Sequence, residues 1–154
     1  MPEAQTFMMG KFPAVLPGEL LYARNHMWCR PEGARARFGF TSYAVRLMQD
    51  VYFLDWQISP GDRVEPLQQI GHIETSKAVS DLFAPLAGVL AVFNSALLDD
   101  PSGINIDGYG DGWLFEMEEA ALGELLDVSA YHQYLSDNWE KTQRHIKGKI
   151  NTED

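Results

Sequence analysis

The sequence predicts a mainly β protein, a small sandwich or flattened barrel with one short internal helix and a helix at its C-terminus. Three observations predict this. Short apolar runs recur along most of the 154-residue chain. Gly, Pro, Asn and Asp separate them at close intervals, as turns between strands require. Apolar residues at helical spacing appear over residues 43–48 and again from residue 128 onward.

The elements follow in order. Residues 1–18, with Pro2, Pro13 and Pro17, read as an irregular arm, because proline interrupts both helix and ladder. Residues 20–23, 27–30 and 37–40 read as strands, parted by Asn25 and by Pro31-Glu32-Gly33. Thr41 or Ser42 is placed to cap a short helix that carries Tyr43, Ala44, Leu47 and Met48 on one side. Residues 51–56 form the next expected strand, and Ser59-Pro60-Gly61-Asp62 a turn. Strands are expected at 67–74, 79–84, 88–93 and 113–117, with turn-rich connections at 97–101 and 105–112. An echo between residues 59–74 and 85–92 does not amount to a repeat. The last helix starts near Ser129, a plausible cap, with Val128, Tyr131, Leu135 and Trp139 on its apolar side.

Composition narrows the function classes. The formal charge of −10 argues against nucleic acid, whose phosphates need a basic face, and favours partners with basic patches. From Asp99 to Asp127 there are nine acidic residues and no Lys or Arg, whereas Lys141, Arg144, Lys147 and Lys149 cluster near the C-terminus. The lone Cys29 cannot form an intrachain disulfide and fits a reducing compartment. The N-terminus has no apolar core of a secretory signal, and no run reaches the ~20 apolar residues of a membrane helix. A cytoplasmic location without membrane contact is therefore expected.

No enzyme signature emerges. His26, His72, His132 and His145 lack metal-binding spacing, and a single cysteine cannot build a zinc cluster, so no metal site is expected. Nucleophile-elbow, Walker and dinucleotide-binding patterns are absent, and Gly103, Gly108, Gly110 and Gly112 sit in a loop without a following Lys-Ser. Asp99-Asp100 and Glu118-Glu119 read as solvated loop charges.

Lys77 differs. It lies between two strand-like segments of similar length, so a hairpin would present it at the tip, with small Ser76 and Ala78 beside it. Acylation of its nitrogen would remove the charge and extend a flexible stem.

The surrounding motifs resemble the lipoyl carriers, in particular the H proteins of the glycine cleavage system. The resemblance rests on Glu74-Thr75-Ser76-Lys77-Ala78, Ser80-Asp81-Leu82 and Ala84-Pro85-Leu86-Ala87-Gly88. Gly61 lies sixteen residues before the lysine and Gly88 eleven after it, as in lipoyl carriers. Tyr22-Ala23-Arg24-Asn25-His26-Met27-Trp28, Gly39-Phe40-Thr41-Ser42-Tyr43-Ala44, Asp50-Val51-Tyr52-Phe53 and Tyr109-Gly110-Asp111-Gly112-Trp113-Leu114 extend it over residues 20–136. Biotin carriers share the hammerhead fold, but their lysine usually sits between methionines near the chain end; here 77 residues follow Lys77.

The resemblance implies a lipoyl/biotinyl-carrier fold over residues 19–128, flanked by the arm at 1–18 and by a C-terminal helix and basic tail at 129–154. It implies lipoate joined by an amide to Lys77, on a carrier without its own catalytic site. The dithiolane then carries a bound intermediate between partner enzymes. A lipoylating enzyme, of ligase or octanoyltransferase/lipoyl synthase type, would be helped by Glu74 in recognising the hairpin, while Gly61 and Gly88 would permit tight turns.

Departures from the family pattern bear on the cargo. Between His26 and Trp28 H proteins typically carry a glutamate that helps hold the charged aminomethyl group; here it is Met27, while Asp81 near the arm is retained. Ser42, Val45 and Arg46 also depart, as does Asp55-Trp56-Gln57, and the basic run from Lys141 lies beyond the end of many H proteins. The lost carboxylate points to the lipoate-binding paralogue of bacterial sulfur oxidation, handing sulfur to a heterodisulfide-reductase-like complex. The alternatives are a true glycine cleavage carrier and an unmodified interaction module.

Overall fold

A computed structural model describes residues 3–150, with side chains as far as residue 144. The side chains of His145, Lys147 and Lys149, and all of Pro2 and residues 151–154, lie outside the described residues. Eleven strands form three antiparallel sheets. In chain order these are β1 (Gln5–Met9), β2 (Phe12–Leu16), β3 (Leu21–Tyr22), β4 (Met27–Glu32), β5 (Arg35–Phe40), β6 (Val51–Trp56), β7 (Arg63–Val64), β8 (Gln69–Thr75), β9 (Val79–Phe83), β10 (Gly88–Phe93) and β11 (Phe115–Glu118). The larger sheet runs β3-β4-β5-β11-β10-β7, the smaller β6-β8-β9, and β1 pairs with β2 alone.

Alternation decides which face is buried. On β5, Ala36, Phe38 and Phe40 point inward, while Arg35 and Arg37 meet Glu116 and Glu118 across the sheet. Phe38 and Phe115 stack inside, at 5.5 Å between ring centres. Leu54, Ile73 and Leu82 of the smaller sheet close the same core from the other side. The mainly β, flattened sandwich thus has one apolar layer between two sheets.

Among the described residues there are also four α-helices, α1 (Ser42–Met48), α2 (Ser95–Asp99), α3 (Gly103–Ile106) and α4 (Val128–Ile150), and a 3-10 turn at Leu122–Glu124. Thr41 caps α1, its hydroxyl oxygen accepting the Ala44 N–H at 3.2 Å. A second apolar core lies between α4, α1 and the N-terminal strands, with Phe7, Leu16, Tyr22, Trp28, Tyr43, Tyr131 and Leu135 buried in it. No helix among the described residues is long and apolar enough to cross a membrane.

Three expectations change. The arm at 1–18 is not irregular: residues 5–16 form a hairpin turned at Gly10, whose φ is +63°. Pro13 fits because β2 has a neighbour on one side only, so its missing N–H costs no ladder bond. The cap of α4 is Asp127 rather than Ser129; its Oδ1 accepts the Ala130 N–H at 2.8 Å. Ser129 instead accepts from Gln5 Nε2 at 2.8 Å, tying the hairpin to the helix. The connections expected at 97–101 and 105–112 overlap α2 and α3, each about one turn long, the first capped by Asn94.

Candidate functional site

Lys77 sits at the exposed tip of the β8–β9 hairpin. Thr75 holds the turn closed. Its hydroxyl oxygen accepts the N–H groups of Lys77 (3.1 Å) and Ala78 (3.2 Å), and its own N–H donates to the Ala78 carbonyl at 2.9 Å. The side-chain oxygen thereby occupies the place of a backbone acceptor, a device Thr and Ser supply at turns. No residue of the tip needs a positive φ.

A second tie runs sideways. Ser76 N–H donates to the Asp50 carbonyl at 2.9 Å. Asp50 is itself flanked by groups that Asn105 fixes: its amide nitrogen donates to the Gln49 carbonyl at 2.7 Å and its oxygen accepts the Val51 N–H at 3.0 Å. The tip is therefore held by α3 through residues 49–51, while the Lys77 stem extends into solvent. Among the described residues no carboxylate forms an ion pair with its ammonium. An open amine with small neighbours on a fixed turn suits amide formation with a carboxylic acid cofactor.

The outer face of β6-β8-β9 surrounds the lysine. Register places Phe53, Glu74 and Val79 side by side, and Asp55, His72 and Asp81 in the next row. The His72 ring lies 5.5 Å from that of Phe53, and Gln69 Nε2 donates to Asp81 Oδ1 at 3.1 Å. Glu74, Asp81 and Lys77 thus share one hairpin, as their sequence spacing suggested. Val79 is 69% exposed and Tyr52 65%, so the face is apolar and acidic together.

The remaining candidates part company. Gly61, with φ +95°, occupies a turn that a side chain would strain. Gly88 is not in a turn: it opens β10, and a Cβ there would meet Met117 Cε at 2.8 Å and the Glu118 carbonyl at 3.1 Å. Its need is close approach. His26 (φ +72°) lies against Tyr43 and Tyr131, and burial lowers its pKa to about 4. Met27 is 1% exposed and packs in the core between the sheets, away from the outer face that carries Asp81. Cys29 is buried too, and burial raises its thiol to about 12, so it is no ready nucleophile. Among the described residues no three His, Cys, Asp or Glu side chains are grouped to hold a metal ion.

Two kinds of residue escaped the sequence reading. Thr75 and Asn105 act through the tip's hydrogen bonds, and a threonine two residues before the lysine of a turn is the one sequence signal that could have found either. Tyr131 was read as apolar packing on α4, yet its hydroxyl joins His26 Nδ1 (2.9 Å) to Thr41 Oγ1 (3.1 Å).

Comparisons with known proteins identify relatives over most of the chain. The family model described as glycine cleavage H-protein matches residues 20–138. The chain is 42% identical over 118 residues to the glycine cleavage system H protein of Bacteroides thetaiotaomicron, covering 75% of this chain and 93% of that one. It is 38% identical over 128 residues to that of Herpetosiphon aurantiacus, covering 82% and 98%. In structure it is similar to a glycine cleavage system H protein from Mycobacterium marinum, with TM-score 0.68 and 36% identity over 80% of this chain and 98% of that one.

These matches overturn the expectation of sulfur cargo and of a heterodisulfide-reductase-like partner, and support the glycine cleavage alternative. The structure removes the physical basis of that expectation as well. Methionine at position 27 fills an apolar core, which accounts for the residue without any change of cargo.

Proposed function

The chain belongs to the glycine cleavage H-protein family, whose members are lipoyl carriers rather than catalysts, and from that premise we propose that Lys77 carries lipoate and serves aminomethyl transfer in glycine cleavage. The observation that supports this reading is the exposed Lys77 amine on a hairpin tip held by Thr75 and Asp50. Nζ would attack the activated lipoyl carboxyl, form the amide and release the activating group. When attached, the dithiolane supplies the redox and group-carrying chemistry.

The chain's own residues supply presentation. The rigid turn fixes where the stem begins, and the stem's free rotation sets the volume it sweeps. Glu74, beside Lys77 on the hairpin, offers the lipoylating enzyme a charged contact. Asp81, on the same outer face, supplies a negative group toward a cationic cargo. Residues 19–128 form the carrier domain in this reading, and α4 packs on it through Tyr131, Leu135 and Trp139.

The test is direct. Incubation with a lipoylating enzyme should add the mass of one lipoyl group, mapped to Lys77, and Lys77→Arg should take up none. The modified chain should then support glycine decarboxylation with purified glycine cleavage partners, and Lys77→Arg should not. Modification at another lysine, or full turnover by the Arg variant, would sink the proposal.

A further inference from the structure

We infer that a pocket between α4 and the Asn25-His26 loop is a binding site for a small monocarboxylate, formed by His26, Tyr43, Tyr134, Asn138, Lys141 and Thr142. It is open to solvent and holds ≈ 270 Å³, enough for a compact organic acid. No residue of the β8–β9 hairpin lines it. The family match ends at residue 138, and Lys141 and Thr142 lie beyond it.

The direction of its hydrogen bonds identifies the ligand class. The hydroxyl of fully buried Thr41 accepts the Ala44 N–H, and its only other partner among the described residues is the Tyr131 hydroxyl at 3.1 Å. Its own proton must therefore go to Tyr131, since a buried hydroxyl without an acceptor is costly. Tyr131, having accepted, donates its proton onward to His26 Nδ1 at 2.9 Å. A neutral imidazole that accepts at Nδ1 carries its proton at Nε2. Burial keeps the ring neutral at physiological pH.

Nε2–H has no protein partner among the described residues, and His26, partly exposed, lines the pocket. The chain from Thr41 therefore ends on an outward-facing donor. Asn138 spends one N–H on the Tyr134 carbonyl at 2.8 Å and keeps a second. Lys141 adds one positive charge and pairs with no carboxylate among the described residues. No carboxylate lines the pocket, so a cation has no counter-charge there. One ammonium, neutral donors and two tyrosine rings suit a single negative charge on an apolar body.

The probes are benzoate and butyrate, titrated into full-length protein and followed by amide and imidazole NMR. Both should give saturable shifts confined to the His26, Tyr134, Asn138 and Lys141 neighbourhood, with benzoate at least ten-fold tighter than uncharged benzamide and tighter than inorganic phosphate. Lys141→Ala should weaken benzoate roughly ten-fold, and His26→Asn should weaken it while the fold is kept. Lys77→Arg should bind as wild type does, which separates this site from the carrier reading. Absence of saturable shifts with both acids, equal binding of benzamide or phosphate, or indifference to Lys141→Ala overturns the inference.

Discussion

The Thr75 hydroxyl oxygen and the Lys77 backbone N–H lie 3.1 Å apart, and the same oxygen holds Ala78 N–H at 3.2 Å. One side chain therefore sets the geometry of the residue that carries the amine. Thr75→Val keeps the shape and removes the acceptor. Water can reach both released N–H groups, so the cost falls on order at the tip more than on global stability. Lipoylation of Lys77 should slow roughly five- to ten-fold, corresponding to about 1 kcal/mol for a lost hydrogen bond. Thr75→Ser should restore the rate, and thermal unfolding should change little in either variant. Equal rates for Val and Ser would refute the role of the hydroxyl.

Gly61 and Gly88 should respond to alanine for different reasons. At Gly61 nothing lies within 4 Å of the new Cβ, but φ is +95°, so the cost is backbone strain of about 1–2 kcal/mol. At Gly88 the backbone is ordinary, but Met117 and the Glu118 carbonyl must move, at about 1–3 kcal/mol. Gly61→Asn, which tolerates positive φ, should recover part of the first loss. Gly88→Asn should be worse than Gly88→Ala. Urea midpoints of the four variants test this pair of orderings.

The N-terminal hairpin should matter to stability and not to modification. Phe7 packs edge-on against Tyr43, His132 and Trp139, at 5.9, 5.6 and 5.5 Å between ring centres. Phe7→Ala should cost about 3–5 kcal/mol, read from the denaturation midpoint. The same variant, measured well below its melting point, should still accept a lipoyl group at Lys77 at the normal rate. A large loss of that rate in folded protein would show that the second core reaches the tip.

What the sequence disclosed follows from range. Lys77 was legible because its turn, its neighbours and the flanking strands are all local, and the six residues from 74 to 79 carry most of that signal. The sandwich followed from alternation along each strand. The N-terminal hairpin did not, because Pro13 looks like a breaker unless one knows that its strand has a free edge. Phe7 and Trp139 lie far apart in sequence, so their contact leaves no periodic trace. The α2 and α3 helices are too short to show a helical period. Met27 misled most: a missing carboxylate suggested a change of cargo, whereas the side chain turns inward and fills space.

His26 should make stability fall as acid is added, well before most carboxylates titrate. Burial lowers its folded-state pKa to about 4, while an unfolded chain has the ordinary value near 6.5. Between those values the unfolded chain takes up a proton that the folded chain refuses, so stability rises with pH. The contribution is fully present above about pH 6.5 and is lost progressively down to about pH 4. Below that both states are protonated and the group adds no further slope. Its full size is on the order of 3 kcal/mol. His26→Asn provides the control, since asparagine accepts the positive φ of 72° and does not titrate. Plotted from pH 7.5 to 4, the unfolding free energy of wild type should converge toward that of the variant; parallel curves would mean that the half-buried imidazole does not govern this window.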